Sequence, residues 1–82
     1  MVLIENNEEG TCIGMWECSP GTYEWDYDSE EYVYLLKGEV IITEIGGPSY
    51  TLKKGDNAHF PKGIKTIWHI KKSLRKIFFI RK

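Results

Sequence analysis

No apolar run in the chain approaches the roughly 18 residues a membrane helix needs, and no segment sustains a 3.6-residue apolar period over three turns. The first absence, with no charged-plus-apolar leader at Met1, sets the expectation of neither a membrane span nor a signal peptide. The second argues against any substantial helix. Cysteine is scarce: Cys12 and Cys18 are the only two. On one extended strand their Cα atoms would lie about 20 Å apart, beyond disulfide reach, so free thiols in a reducing cytoplasm are expected.

Basic residues are nearly missing from residues 1–50, which hold Lys37 against eleven of the twelve acids, whereas residues 51–82 hold ten bases and Asp56. The block Lys71-Lys72-Ser73-Leu74-Arg75-Lys76 has the composition of a nucleic-acid or membrane footprint, but no nucleic-acid fingerprint accompanies it. In an all-β chain the late strands lie beside early ones, where opposite charges pair for a few tenths of a kcal/mol each. Neither a nucleic-acid nor a membrane partner is expected. Eighty-two residues suffice for one domain, residues 1–82. A chain this short buries only about 60–65% of its unfolded surface, which favours barrel closure and a homodimer.

What is present reads as strands punctuated by turns. Val2–Ile4 precedes a polar turn at Asn6–Gly10, and Thr11–Cys18 is apolar around a helix-hostile Gly14. Ser19-Pro20-Gly21 forces a turn, and Thr22–Tyr27 is rich in β-formers. The acidic loop Asp28–Glu30 leads into Glu31–Leu36, which Lys37-Gly38 breaks. Val40–Ile45, the Gly46-Gly47-Pro48 hairpin turn, Tyr50–Leu52, the Lys53–Asp56 turn and a short strand ending at Phe60 follow. After Pro61-Lys62-Gly63 come Thr66–Ile70 and Lys76–Ile80. About nine short strands spaced by turns argue for an all-β barrel or sandwich.

Two spaced half-motifs sharpen that reading. Six residues separate Glu31 from Gly38, and four separate Gly55-Asp56 from Pro61-Lys62-Gly63. From Gly14 onward the chain resembles the cupin family, double-stranded β-helices or jelly-roll barrels. The strings Trp16–Gly21, Trp25–Asp28 and Pro61–Gly63 followed by Trp68 resemble the small single-domain cupins similar to the ureidoglycine aminohydrolase and ethanolamine-utilisation cupin domains. The resemblance implies an antiparallel cupin barrel, with Glu31 at the family's metal-binding glutamate. The first two family histidines then fall at Trp25 and Tyr27, or at Glu24 and Asp26 if the loop is one residue longer, and the third at Thr66. No position holds a histidine. Tyr27 and Thr66 would give Glu31 a hard, mostly neutral oxygen set of poor affinity, so no metal is expected. On the longer count Glu24, Asp26 and Glu31 would form an acidic cluster able to take a divalent cation.

Strand alternation sorts the remaining candidates. Trp25, Tyr27, Phe60 and Trp68 point inward, with Glu31 and Thr66 as isolated polar groups. A lone buried carboxylate needs a donor, and the Tyr27 hydroxyl is the expected one. His59 and His69 are out of phase with the interior unless a one-residue bulge inverts them. Tyr32 and Tyr34 face outward and, with Phe79, form the expected dimer contact. These assignments describe a cytoplasmic cupin that binds a small polar or nitrogenous metabolite without a cofactor. Glu31 and Tyr27 are the catalytic candidates; Trp25, Phe60, Thr66 and Trp68 are the ligand-binding ones. The alternatives are a metal-dependent aminohydrolase or isomerase with unconventional ligands, and a non-catalytic dimeric interaction protein with a filled barrel.

Overall fold

The computed structural model describes residues 2–6 and 11–81, with side chains from Cys12 to Arg81. Of the expected Asn6–Gly10 turn, Asn6 ends the first strand and residues 7–10 lie outside the described residues. Seven strands are present: β1 (Val2–Asn6), β2 (Thr11–Cys18), β3 (Gly21–Asp26), β4 (Glu30–Glu44), β5 (Ser49–Lys53), β6 (Asn57–Phe60) and β7 (Lys65–Arg81). All pair antiparallel, as the sequence indicates.

The two long strands organise the barrel. β4 and β7 pair along almost their whole lengths, Glu30 opposite Arg81 and Glu44 opposite Thr66. The second half of β7 pairs with β2, and the first half of β4 with β6, which with β1 makes one sheet. The first half of β7 pairs with β3, and the second half of β4 with β5, which makes the other. Two segments expected as separate strands are therefore joined on each long strand. Nine segments become seven strands because β4 and β7 pass from one sheet to the other without ending.

Lys37-Gly38 bends β4 rather than terminating it. The ladder with β7 slips at three places between Leu35 and Val40. Buried positions change parity across the bend, from Glu31, Val33 and Leu35 to Val40 and Ile42, as inserted bulge residues require. Gly38 adopts a φ of 101°, and a Cβ there would collide with the Ser73 carbonyl oxygen of β7. β7 keeps its parity: Thr66, Trp68, Ile70, Leu74, Lys76 and Phe78 are all buried.

Both ends of the second half-motif are clamps. In the turn after β5, Asp56 Oδ2 accepts the Lys53 N–H at 2.9 Å, while Gly55 N donates to the Leu35 carbonyl at 2.8 Å and Leu35 N to that of Asp56 at 2.9 Å. The turn is thus tied to the middle of β4. The Pro61–Ile64 turn is tied to Tyr27, whose N–H donates to the Ile64 carbonyl at 3.0 Å and whose carbonyl accepts from Gly63 N at 2.7 Å.

The expected cross-strand charge pairs are present at the surface, Arg75 with Glu17 at 2.6 Å and Lys72 with Glu39 at 4.0 Å. Both cysteines are free. Among the described residues no helix is long and apolar enough to cross a membrane.

Candidate functional site

Tyr27 is held inward by its clamp to the Pro61–Ile64 turn and is 4% exposed. Its ring stacks on Phe60, with centroids 4.7 Å apart and planes within 2°. Phe60 in turn lies 5.7 Å from Trp68. Thr66 Oγ1 donates to the Trp25 carbonyl at 2.9 Å and accepts the Trp68 indole N–H at 3.1 Å. Thr66 and Trp68 adjoin the Tyr27 hydroxyl but are spent on these bonds, so that buried hydroxyl has no partner. Burial, reinforced by the nearby Glu31 carboxylate, raises the Tyr27 phenol far above its ordinary 10.0.

The donor expected for Glu31 was the Tyr27 hydroxyl; the structure corrects this to Lys76, whose Nζ donates to Glu31 Oε2 at 3.1 Å. Their side chains are 5% and 3% exposed. The ammonium is enclosed by aromatic rings, 4.6 Å from the Trp68 centroid, 5.1 Å from Trp16, 5.3 Å from Trp25 and 5.9 Å from Phe78. Ring faces attract a cation, most strongly where water is excluded. Desolvation lowers the Lys76 pKa from its ordinary 10.5, and the Glu31 carboxylate opposes that fall.

The basic block had placed Lys76 among surface charges, beside a break in the chain. The signal that finds it is parity: Thr66, Trp68 and Ile70 point inward, and an unbroken strand carries that phase through Leu74 to Lys76 and Phe78. Trp16, on β2, was likewise outside the expected site. Its ring meets that of Trp25 edge-on at 5.8 Å.

A cavity of about 150 Å³ opens beside the pair, lined by Trp16, Trp25, Glu31, Lys76, Phe78 and Ile80. Trp25 stands at its rim, 36% exposed. Of the expected site residues, Glu31 and Trp25 line this space, Trp68 and Thr66 back it, and Tyr27 adjoins it. Phe60 instead lines a larger apolar cavity of about 420 Å³ with Ile42, Leu52 and Ile64.

A divalent metal does not fit these residues. Indole offers no lone pair to a cation, the Thr66 hydroxyl is engaged, and an ammonium already lies against the buried carboxylate. Glu24 and Asp26 are exposed and do not join Glu31; among the described residues no group of three His, Cys, Asp or Glu side chains converges as a metal site. The histidines stay on the outer surface. His59 Nε2 is 2.7 Å from Glu30 Oε1 and its ring stacks on Tyr32 at 4.4 Å, while His69 is exposed. Hydrogen bonds from the Lys62 N–H and from His59 hold the Glu30 carboxyl below its usual range.

The model of the EutQ-like cupin domain matches residues 6–78, most of the chain. The chain belongs to the EutQ-like cupin family. A DUF861 family protein from Thermotoga maritima is 31% identical with a TM-score of 0.77, over 95% of this chain and 97% of that one. A putative ethanolamine utilization protein Q from Salmonella typhimurium aligns at 19% identity and TM-score 0.86, over 98% of this chain and 67% of that one. The Clostridium difficile EutQ protein aligns at 20% and 0.86, over 98% of this chain and 60% of its own length. The last two likenesses concern the fold alone. No curated protein matches the chain. Where the resemblance implies imidazoles the chain carries Trp25, Tyr27 and Thr66, and Lys76 lies against Glu31.

Proposed function

We propose that this EutQ-like cupin domain binds a small polar or nitrogenous metabolite in the mouth of its barrel, without a transition metal, as a cytoplasmic homodimer. The observation that carries the reading is the buried Glu31–Lys76 pair beside an aromatic-walled cavity of about 150 Å³. Ligand pockets of this kind have apolar walls and few, fixed polar groups. At about 30 Å³ per water in the liquid, the space suits a molecule of roughly five heavy atoms. If the site turns over its ligand, the reaction is a small-molecule hydrolysis or isomerisation in which Glu31 moves the proton and the unpartnered Tyr27 hydroxyl orients the ligand.

The test is a screen of small neutral metabolites, read by the indole N–H resonances of Trp16 and Trp25. Binding by the wild type that is lost in a folded Glu31→Gln variant supports the reading; binding unchanged in that variant overturns it. Elemental analysis of protein purified without chelator is expected to find far less than one metal per chain, and a stoichiometric metal would restore the metalloenzyme alternative.

The homodimer draws support from the outer face of β2, β7 and β4. Ile13, Ile77, Tyr32 and Tyr34 are each about two-fifths exposed there, and Phe79 lies between Ile13 and Tyr32 in the cross-strand register. An apolar face spanning three strands is characteristic of an interface. Sedimentation of a Tyr32→Glu, Tyr34→Glu double variant is expected to show monomer where the wild type shows dimer. The free thiols of Cys12 and Cys18 favour a reducing compartment.

A further inference from the structure

We propose that Lys76 is a carbonyl-capturing amine: its Nζ adds to a neutral aldehyde or ketone of about five heavy atoms or fewer in the adjoining cavity and forms an imine, with Glu31 shuttling the protons. The proposal rests on the reading of this cavity as a ligand site and names its ligand class. Three features of the geometry support it. Lys76 is the buried lysine among the described residues, the others being exposed. Its nitrogen lies 3.1 Å from a carboxylate that can take and return a proton, and both groups line the same cavity. The pair carries no net charge, so neither an anion nor a cation is drawn in by a monopole, and a neutral polarised group is the best match.

Burial adds to this by favouring the free amine over the ammonium. Stability alone does not account for the pair, because apolar side chains of similar volume hold a core as well as or better than a buried ion pair.

The chemistry balances without an oxidant or reductant. Proton transfer from Lys76 to Glu31 gives amine and carboxylic acid. The nitrogen lone pair forms a C–N bond to the carbonyl carbon, and the oxygen receives the proton held by Glu31. Glu31 removes a proton from the new C–N nitrogen and delivers it to the hydroxyl; the C–O bond breaks and water leaves. The iminium cation then occupies the place of the ammonium, paired with ionised Glu31 and faced by the same four rings.

The experiment treats the whole chain with propanal and sodium cyanoborohydride at neutral pH and maps the propyl adducts by tandem mass spectrometry. Lys76 is expected to be modified at least about tenfold faster than any exposed lysine, well within the hundredfold or more that a positioned acid–base partner supplies. A folded Glu31→Gln variant is expected to lose that preference. Modification of the exposed lysines with Lys76 untouched overturns the proposal, and the comparison is internal to the wild type, so it stands even if the variant does not fold. Propanal without reductant separates the two levels of the argument. Shifts of the Trp16 and Trp25 resonances with no Lys76 adduct overturn capture but leave a binding site, whereas absence of both removes the ligand site for this class as well.

Discussion

Glu31 and Lys76 differ by one strand position from Glu30 and Arg75, yet the two sets of charges live in different media. Arg75 reaches Glu17 at 2.6 Å on the outer surface, with side chains 45% and 36% exposed. Lys76 reaches Glu31 at 3.1 Å inside the barrel, at 3% and 5%. The outer contact is shorter and the weaker of the two to lose. Water screens the outer pair and resolvates either partner left alone, while the inner pair has nothing but itself and aromatic faces. Alternation along a strand is enough to move a charge from solvent into the core.

The largest effect expected from breaking that contrast is at Lys76. Lys76→Met leaves Glu31 buried without its partner and is expected to cost about 3–5 kcal/mol in urea unfolding. Adding Glu31→Leu removes the stranded charge and is expected to return most of that loss while abolishing carbonyl capture; a double variant no more stable than the single one would show the pair to be structural cement. Next comes Tyr27→Phe. Deleting an unpartnered buried hydroxyl is expected to stabilise the domain by about 1 kcal/mol and to weaken ligand binding. It also changes the response to alkali. The folded-state phenol is raised above 10.0, so its contribution is fully present below pH 10.0. Above that the unfolded chain ionises while the folded one does not, and stability falls by about 1.4 kcal/mol per pH unit. Lys76 runs the other way: with its pKa lowered by burial, its penalty is relieved as pH climbs toward 10.5. The difference between wild type and Tyr27→Phe above pH 10.0 isolates the tyrosine. The smallest effect is at Arg75→Ala, expected below about 1 kcal/mol and fading in high salt.

The same contrast explains what was legible in the sequence. Turn chemistry and the Gly-Asp and Pro-x-Gly clamps are local, so the all-β architecture and the inward set Tyr27, Glu31, Thr66 and Trp68 could be read from residue type and alternation. Lys76 could not be read while the basic block was taken as an interruption, because a charge between Arg75 and Ile77 has the composition of a surface. Only continuity of β7 carries the inward phase that far. β4 shows the opposite hazard: its bend shifts the buried positions from odd to even, so extrapolating from Glu31 would have turned Val40 and Ile42 to the outside. Continuity is a long-range property, set where Gly38 lets β4 approach Ser73, and no window of neighbouring residues contains it.

Because β2 and β3 find their inner partners on β7, and β4 pairs with it almost end to end, the last strand closes most of the long-range ladder. Pairings across such sequence separations make folding slow relative to helical domains of this size. During synthesis the N-terminal half would leave the ribosome with its edges unpaired and its apolar side chains wet, and would depend on the final strand to end that exposure. Lys76 arrives with that strand, so the Glu31–Lys76 pair and the cavity beside it are assembled in the closing step of folding.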